Sequence, residues 1–594
     1  MTESVPIDAV SAIQNAFCHA EHDLHCHAEH DLLPMRILSI IVCLIVVVAT
    51  SARAEPAQSR RGMVATVHPL ATDAGVAALQ QGGNAVDAAV AAALTLGVVD
   101  GHNSGIGGGC FILVRKPDGT IIAIDGRETA PAKAHRDMYL RDGQARGELS
   151  TTGPLAVATP GALAAYDRAI ADMGRRKLAD LLLPAADIAE QGFRVDRISA
   201  GNFRQSARIL ARFEGSRIAL LKSDGSPYAE GELLKQADLA RTYRAVAAHG
   251  IDWFYRGPFE ASVGQWMASN GGVLSEQDFA NYAPQNREPL VTTYRGLEIV
   301  GFPPPSSGGL HVSQILSMLE HFDLPALDQQ DPAIFVHVVA EAMKLAFADR
   351  AYWLGDPDFV QVPRGLLDPS YAVEQSMRIN LERATKVPGH GTPPEATTDF
   401  FSKHTTHIAA ADADGWWVGI TATVNTSFGS KVIVPGTGVI LNNEMDDFSI
   451  QPGTPNAFGL VGAEANAIAP LKRPLSCMSP TIVLRDKRPL LTVGAAGGPT
   501  IISQVLLAIV NHVDRKLPLA QAVAAPRFHH QWSPDALILE KSFSPQWNKS
   551  LSARGHEIRF RDSMGVTQAI GMSEDGLSFI GIHDARVPGK ASGP

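Results

Sequence analysis

The feature that most constrains this chain is a change of pattern near residue 400. Between about Ala384 and Phe400 the sequence runs through Pro388-Gly389-His390-Gly391-Thr392-Pro393-Pro394, which offers almost nothing to bury and predicts an exposed, mobile linker. Two strand patterns follow at once, Thr406 to Ala411 and Trp416 to Val424, separated by the turn residues Asp412-Ala413-Asp414-Gly415. With Asp412 and Gly415 flanking the turn, the numbers of facing residues sum to about 827, so Thr405 is expected opposite residue 422, within about one residue. Thr405 and Thr423 then become spatial neighbours. Thr423 and Asn425 share a face, because side chains alternate along a strand.

A second hairpin is predicted from Thr481 to Leu484 and from Pro489 to Val493. It ends in Gly494-Ala495-Ala496-Gly497-Gly498-Pro499 before a helical run from Thr500 to about Val510. A strand, a glycine loop and a helix start place free backbone N–H groups where they can hold a negative oxygen. No Gly-Lys-Ser/Thr follows, which sets phosphate binding aside. Two further helices are marked by their caps: Asn84 ahead of the Ala-rich run Ala85 to Leu96, and Asp331-Pro332 ahead of a run to about Trp353, stopped by Gly355. The first has a smooth face suited to lying flat on a sheet. Together these elements give an α/β or α+β chain.

The N-terminus reads as an address. Arg36 precedes an apolar run from Ile37 to Ala49 and the A-x-A site Ala52-Arg53-Ala54. That is too short for a spanning helix, which needs about 20 apolar residues, and fits a signal peptide over 35–54 cleaved after Ala54. The expectation is an exported protein, periplasmic or secreted, with no stable membrane anchor. Residues 1–34 carry six carboxylates and no Lys or Arg, a poor start for export, which points to Met35 as the start of translation. The repeat Cys-His-Ala-Glu-His-Asp-Leu at 18–24 and 26–32 has metal-binding residue types, but a dispensable extension is the simpler reading.

Composition narrows the remaining classes. A net charge of −10 over 594 residues, without a basic run, argues against a nucleic-acid partner. Past the N-terminal segment only Cys110 and Cys477 remain, and no CxxC or HExxH spacing occurs, so neither a disulfide framework nor a metal or cofactor is expected. His529-His530 lacks a third ligand and reads as structural. No G-x-S-x-G elbow is present.

An internal Thr hydroxyl is a poor nucleophile because nothing removes its proton. At a new chain terminus the same residue carries an α-amine with a pKa of about 7.7–8.0, a usable base at neutral pH. Cleavage between His404 and Thr405 would therefore create its own catalyst. From spacing alone, Thr at a strand start after a loop is usually explained by β-propensity.

The motifs decide between these. Thr405-Thr406-His407, Thr423-Val424-Asn425-Thr426-Ser427-Phe428-Gly429 and Leu441-Asn442-Asn443-Glu444-Met445-Asp446-Asp447-Phe448 resemble the small-subunit core of γ-glutamyltranspeptidases. Arg473 to Pro480, Gly497-Gly498 and Pro526 to Gln531 continue the likeness. On the other side of the cut, Gly105 to Gly109, Asp125-Gly126-Arg127-Glu128, Pro303 to Gly309 and Leu354 to Phe359 extend it over nearly the whole mature chain.

The resemblance implies an α+β fold, the four-layer αββα sandwich of N-terminal-nucleophile hydrolases, built from a large subunit of 55–404 and a small catalytic subunit of 405–594. It implies that Thr405 attacks a γ-glutamyl amide such as that of glutathione. The N–H groups of Gly497 and Gly498 hold the oxyanion, and Thr423 bonds the nucleophile or its amine. Water, an amino acid or a dipeptide resolves the acyl-enzyme. Arg127, with Ser476 and Cys477, is implied to grip the α-carboxylate, and Asn425, Glu444 and Asp447 the α-ammonium. Taken singly, Arg127 would more often be a surface ion pair, Glu444 and Asp447 a solvated loop face, and Asn425 a turn residue; their joint occurrence in the family's order is what assigns them to the ligand. Cys477 stands where the family usually has a second Ser. Phe458, in the loop Pro452 to Ala469, stands where some bacterial relatives have a Tyr closing the pocket. A β-lactam side-chain acylase, a poly-γ-glutamate peptidase and an uncleaved secreted binding protein are the alternatives.

Overall fold

The computed structural model describes residues 56–394 and 406–594. The extension 1–34, the expected signal peptide 35–54, the expected cleavage site His404-Thr405 and residues 395–400 of the linker lie outside the described residues. Two seven-stranded sheets form the centre, and every neighbouring pair of strands in them is antiparallel. In chain order their strands are β1 (Ala57–Ser59), β2 (Gly62–Thr66), β3 (Gly109–Arg115), β4 (Ile121–Gly126), β5 (Gln285–Arg287), β6 (Leu290–Tyr294) and β7 (Leu297–Gly301) before the linker. After it come β8 (His407–Asp412), β9 (Trp417–Thr423), β10 (Thr481–Arg485), β11 (Arg488–Ala496), β12 (Val566–Met572), β13 (Phe579–Ile582) and β14 (Lys590–Ser592). One sheet has the order β14-β2-β8-β9-β3-β4-β5, the other β1-β13-β12-β11-β10-β7-β6. Each sheet combines strands from both sides of residue 405, so a cut there leaves the two parts hydrogen-bonded through both sheets.

Alternation of side chains sorts the core into three slabs. Met63, Ala65, Phe111, Leu113, Ala409 and Ala411 face Val300, Ile482 and Ile570 of the second sheet. Their immediate neighbours Val64, Ile112, Val114, Ile408 and Ala410 point the opposite way, into a helical layer that includes α1 (Ala85–Val99). On the far side, Ile299, Val483, Leu491 and Val493 pack against α2 (Ser307–Leu319), α3 (Pro332–Trp353) and α4 (Thr500–Val513). The result is helix, sheet, sheet, helix: the four-layer sandwich.

Both predicted caps hold. Asn84 Oδ1 accepts from Val86 N at 2.9 Å while Asp87 Oδ2 accepts from Asn84 N at 2.8 Å, closing a capping box. Asp331 Oδ1 accepts from Ala333 N at 2.9 Å ahead of Pro332. α1 is buried along its whole length, which its small residues allow.

The hairpin differs from the expected register by one residue. Asp412 pairs with Trp416, not Gly415, because Gly415 sits at φ 96° and closes a three-residue loop. His407 therefore faces Thr421, and Thr406 faces Ala422. The described half of the linker is also more constrained than its composition suggested. Thr385 N donates to Glu341 at 2.8 Å, Trp532 Nε1 donates to Val387 O at 2.8 Å, and Gly391 N donates to Asp349 at 2.7 Å. A stretch with little to bury is thus tied down through its backbone polar groups.

Candidate active site

The corner where β8 begins and β9 ends is built from backbone bonds. Val424 N donates to Asn103 O at 3.0 Å, and Asn425 adopts φ 77°, turning the chain off the sheet. Thr423 Oγ1 accepts from Asn425 N at 2.7 Å, and Asn425 Nδ2 donates to Asn443 O at 3.0 Å. The structure thus joins Thr423 to Asn425, and Asn425 to the segment carrying Glu444 and Asp447. Asn425 Oδ1 is buried and has no hydrogen-bond partner among the described residues. His407, two residues along from 405, is fully enclosed with Nδ1 3.1 Å from Thr421 Oγ1. Burial lowers its pKa to about 3, so it stays neutral.

Arg127 follows the last residue of β4 and is completely buried. Its backbone is fixed by Asp125, whose carboxylate accepts from Arg127 N at 2.9 Å, and by Tyr282, whose hydroxyl donates to Arg127 O at 2.7 Å. The guanidinium reaches Glu128 Oε2 at 3.2 Å and Asp447 Oδ2 at 2.8 Å, and is ion-paired with Glu444. Arg127 therefore meets Glu444 and Asp447, more than 300 positions further along the chain, in one charged cluster. The resemblance assigned them to opposite charges of a ligand; here they satisfy each other, as buried opposite charges must.

Glu128 was given no role from the sequence, although it sits inside the Asp125 to Glu128 motif. One guanidinium faces three buried carboxyl groups, so the cluster retains protons. Burial raises Glu128 to about 7 against the opposing pull of Arg127, and raises Glu444 well above the usual carboxylate range. Arg127 is disfavoured by burial too, yet its three partners outweigh this and strengthen its charge.

The glycine loop closes the other side. Gly497 and Gly498 have φ 137° and 62°, at the end of β11 and before α4. Thr500 Oγ1 donates to Gly497 O at 2.7 Å and Gln504 Nε2 to Ala496 O at 2.9 Å, which turns the carbonyls away and fixes the loop. The Phe458 ring covers Gly498 so closely that a Cβ there would lie 2.8 Å from it. Its loop is pinned to the charged cluster: Asn456 Nδ2 donates to Asp447 Oδ1 at 3.2 Å, and Ala457 N to Asp446 Oδ2 at 3.0 Å. The Phe458 ring thus packs directly over the glycine loop.

Ser476 and Cys477 are both fully buried on an extended segment beside Pro305 to Ser307. Ser307 N donates to Ser476 O at 3.0 Å, and Ser476 Oγ accepts from Met478 N at 3.4 Å. Asn466 ties this segment to the cluster, donating from Nδ2 to Asp447 O at 2.7 Å and accepting from Leu475 N at 2.9 Å. His529 and His530 each have local partners, Ser503 Oγ at 2.6 Å and Asp535 at 3.2 Å, in keeping with structural roles. Among the described residues, His337, Glu341 and His556 bring ligating atoms within 4.8 Å of one another. Lys344 Nζ stands 2.7 Å from Glu341, and the two imidazoles bond each other at 2.7 Å, so this trio anchors the linker.

A family model described as gamma-glutamyltranspeptidase matches residues 71–593. The glutathione hydrolase proenzyme of Escherichia coli (strain K12) is 42% identical over 534 residues, 89% of this chain and 91% of that protein. Among solved structures, the cephalosporin acylase from Bacillus halodurans is similar at TM-score 0.81 and 27% identity, over 92% of this chain and 98% of that one. The Helicobacter pylori gamma-glutamyltranspeptidase is similar at TM-score 0.52 and 37% identity, over 54% of this chain and 91% of that chain.

Proposed function

The chain belongs to the gamma-glutamyltranspeptidase family, and from that membership we propose how its own residues carry out the reaction. It is a γ-glutamyltransferase and glutathione hydrolase of the N-terminal-nucleophile class, acting on γ-glutamyl compounds. In our reading the chain cuts itself between His404 and Thr405, giving fragments of 55–404 and 405–594 that remain joined through the two shared sheets. On this reading the register seen for Thr406 and Ala422 carries on by one pair, which would bring Thr405 opposite Thr423. The freed amine takes the proton of the Thr405 hydroxyl, the oxygen attacks the γ-carbonyl, and the N–H groups of Gly497 and Gly498 receive the oxyanion. The amine then returns the proton to the leaving nitrogen. Water or the amine of an amino acid or dipeptide releases the γ-glutamyl group by the same steps in reverse.

The observation that carries this reading is the buried meeting of Arg127 with Glu444 and Asp447. An α-amino acid head group brings one carboxylate and one ammonium. Inserted between these partners it would replace each internal ion pair with an external one, leaving no buried charge alone. The open Oδ1 of Asn425 offers the ammonium a further acceptor. Turnover of a γ-glutamyl anilide, with and without a dipeptide acceptor, tests this; preference for a glutaryl or β-lactam side-chain donor lacking the ammonium would favour the acylase reading. Residues 35–54 support export, and no helix among the described residues is long and apolar enough to cross a membrane.

Two substitutions probe the pocket walls. Cys477→Ser exchanges a weak donor for a strong one toward the substrate carboxylate, so the Michaelis constant of the donor should fall by roughly twofold to fivefold. An unchanged or raised constant counts against this placement. Gly498→Ala introduces a Cβ at φ 62° against the Phe458 ring. The loop must then shift, and kcat should drop by about 10²-fold, as for loss of one oxyanion donor. A variant within threefold of the parent would remove Gly498 from the reaction.

A further inference from the structure

Between β9 and the segment carrying Glu444 the backbone is held in an uncommon shape. Asn425, Phe428 and Lys431 adopt φ of 77°, 59° and 67°, the left-handed region that a side chain disfavours, and Gly429 among them sits at 51°. Such strain persists only where the surrounding contacts over-determine the chain. Lys431 supplies two of those contacts. Its ammonium is buried and donates to Gly429 O at 2.7 Å and to Thr426 Oγ1 at 3.2 Å. Both acceptors are neutral, so a full charge is enclosed here at a cost that an apolar side chain of similar length would avoid. Burial lowers the pKa of Lys431 to about 8, against the opposing pull of Asp446.

Beyond Lys431 the hydrogen bonds can run in one direction only. An ammonium donates and never accepts, so the Thr426 hydroxyl accepts from it. The hydroxyl proton is left for Asn443 Oδ1 at 3.1 Å, the nearer of two acceptors, the other being Gly429 O at 3.4 Å. Asn443 Oδ1 also accepts from Thr426 N at 3.0 Å, which fixes which way the completely buried Asn443 amide faces. The Asn443 backbone is held as well: its N–H donates to Val424 O at 3.2 Å, and its carbonyl accepts from Asn425 Nδ2 at 3.0 Å. A carbonyl offers no donor, so Asn425 gives it the amide nitrogen and turns Oδ1 the other way.

We propose that Lys431 is a positioning residue that acts through the Thr426 hydroxyl and Asn443 to hold Asn425 Oδ1 toward the donor's ammonium, and so sets the preference for ligands that carry one. This rests on the reading of Asn425 as an acceptor for that ammonium. The chain of bonds ends on Asn425 and not on the glycine loop, so its loss falls on head-group affinity and spares turnover.

The test uses the full-length protein, expressed and processed as the parent is, at pH 7, where Lys431 is charged. A γ-glutamyl anilide is the donor, and L-glutamate and glutarate, which differ by the ammonium, are competitive inhibitors. Lys431→Met and Thr426→Val should each raise the inhibition constant of L-glutamate and the Michaelis constant of the donor by roughly tenfold. The inhibition constant of glutarate should stay within about twofold, and kcat within about threefold. The double variant should be no worse than the poorer single one, because both changes break the same chain of bonds. Thr426→Ser keeps the hydroxyl and should stay within about threefold of the parent throughout. Thr426→Val preserves shape, so it reports even if Lys431→Met fails to fold. Equal losses for L-glutamate and glutarate, multiplying effects in the double variant, or Thr426→Ser as impaired as Thr426→Val would each overturn the proposal. A parent that binds L-glutamate no better than glutarate would remove the head-group reading itself, whereas a parent that prefers L-glutamate, with variants that keep this preference, refutes Lys431 alone.

Discussion

Thr405→Ala yields a single uncut chain with no measurable turnover, a loss of at least about 10⁴-fold in kcat. In the proposed mechanism the substitution removes the oxygen that performs two reactions in turn: attack on the preceding peptide carbonyl in the precursor, and attack on the donor amide in the mature protein. The surrounding fold does not depend on it, because the sheets are closed by β8 from His407 onward and by β9 against β3. Thr405→Ala should therefore be folded, with a cooperative thermal transition near that of the uncut parent. Thr405→Ser keeps an oxygen and should process and turn over at a reduced rate. Processing without turnover in Thr405→Ala would assign the cut to another residue.

Arg127→Gln should cost activity and stability together. The guanidinium is completely buried and carries the positive charge facing Glu128, Glu444 and Asp447. Removing one member of a buried ion-paired group costs about 3–5 kcal/mol, because the others lose their compensation. In the proposed site the donor's α-carboxylate would also lose its partner, so kcat/KM for a γ-glutamyl anilide should fall by about 10³-fold, mostly through the Michaelis constant. The pH dependence has a definite sign. Glu128 already has a folded pKa of about 7, raised by burial above its ordinary 4.5. An acid whose folded pKa is raised is tolerated below its unfolded value and destabilises the fold as pH climbs through the interval between the two. Loss of Arg127 raises that folded pKa further. The gap in melting temperature between variant and parent should therefore widen from pH 5 to pH 8, and a gap that narrows would mean the carboxyl groups are not held by Arg127.

Local chemistry was legible in the sequence where it is settled by a few adjacent residues. Asn84 and Asp331 announced their helices because a capping side chain bonds to an N–H two or three residues away. The β8–β9 hairpin followed from Asp412 to Gly415, but its register turned on whether Gly415 sat in the strand or in the loop. That choice is made by one left-handed dihedral. The sandwich itself came through the resemblance, since strand neighbours such as β1 with β13 are distant in the chain.

The site divides in the same way. Thr423 could be placed beside the strand start from the hairpin alone. The internal pairing of Arg127 with Glu444 and Asp447 could not, because nothing local says what a charge faces when no ligand separates it from its neighbours. Glu128 was passed over for a related reason: it is a buried acid whose meaning lies in its pairing with Arg127 inside the folded cluster.

The central claim is that a free amine at residue 405 activates the hydroxyl of that same residue. Intact mass and N-terminal sequencing of the purified, active protein under denaturing conditions test it most directly. Two fragments, the smaller opening with Thr405 and the larger closing with His404, are the predicted result. A fully active preparation in which the 404–405 peptide bond is unbroken would contradict it.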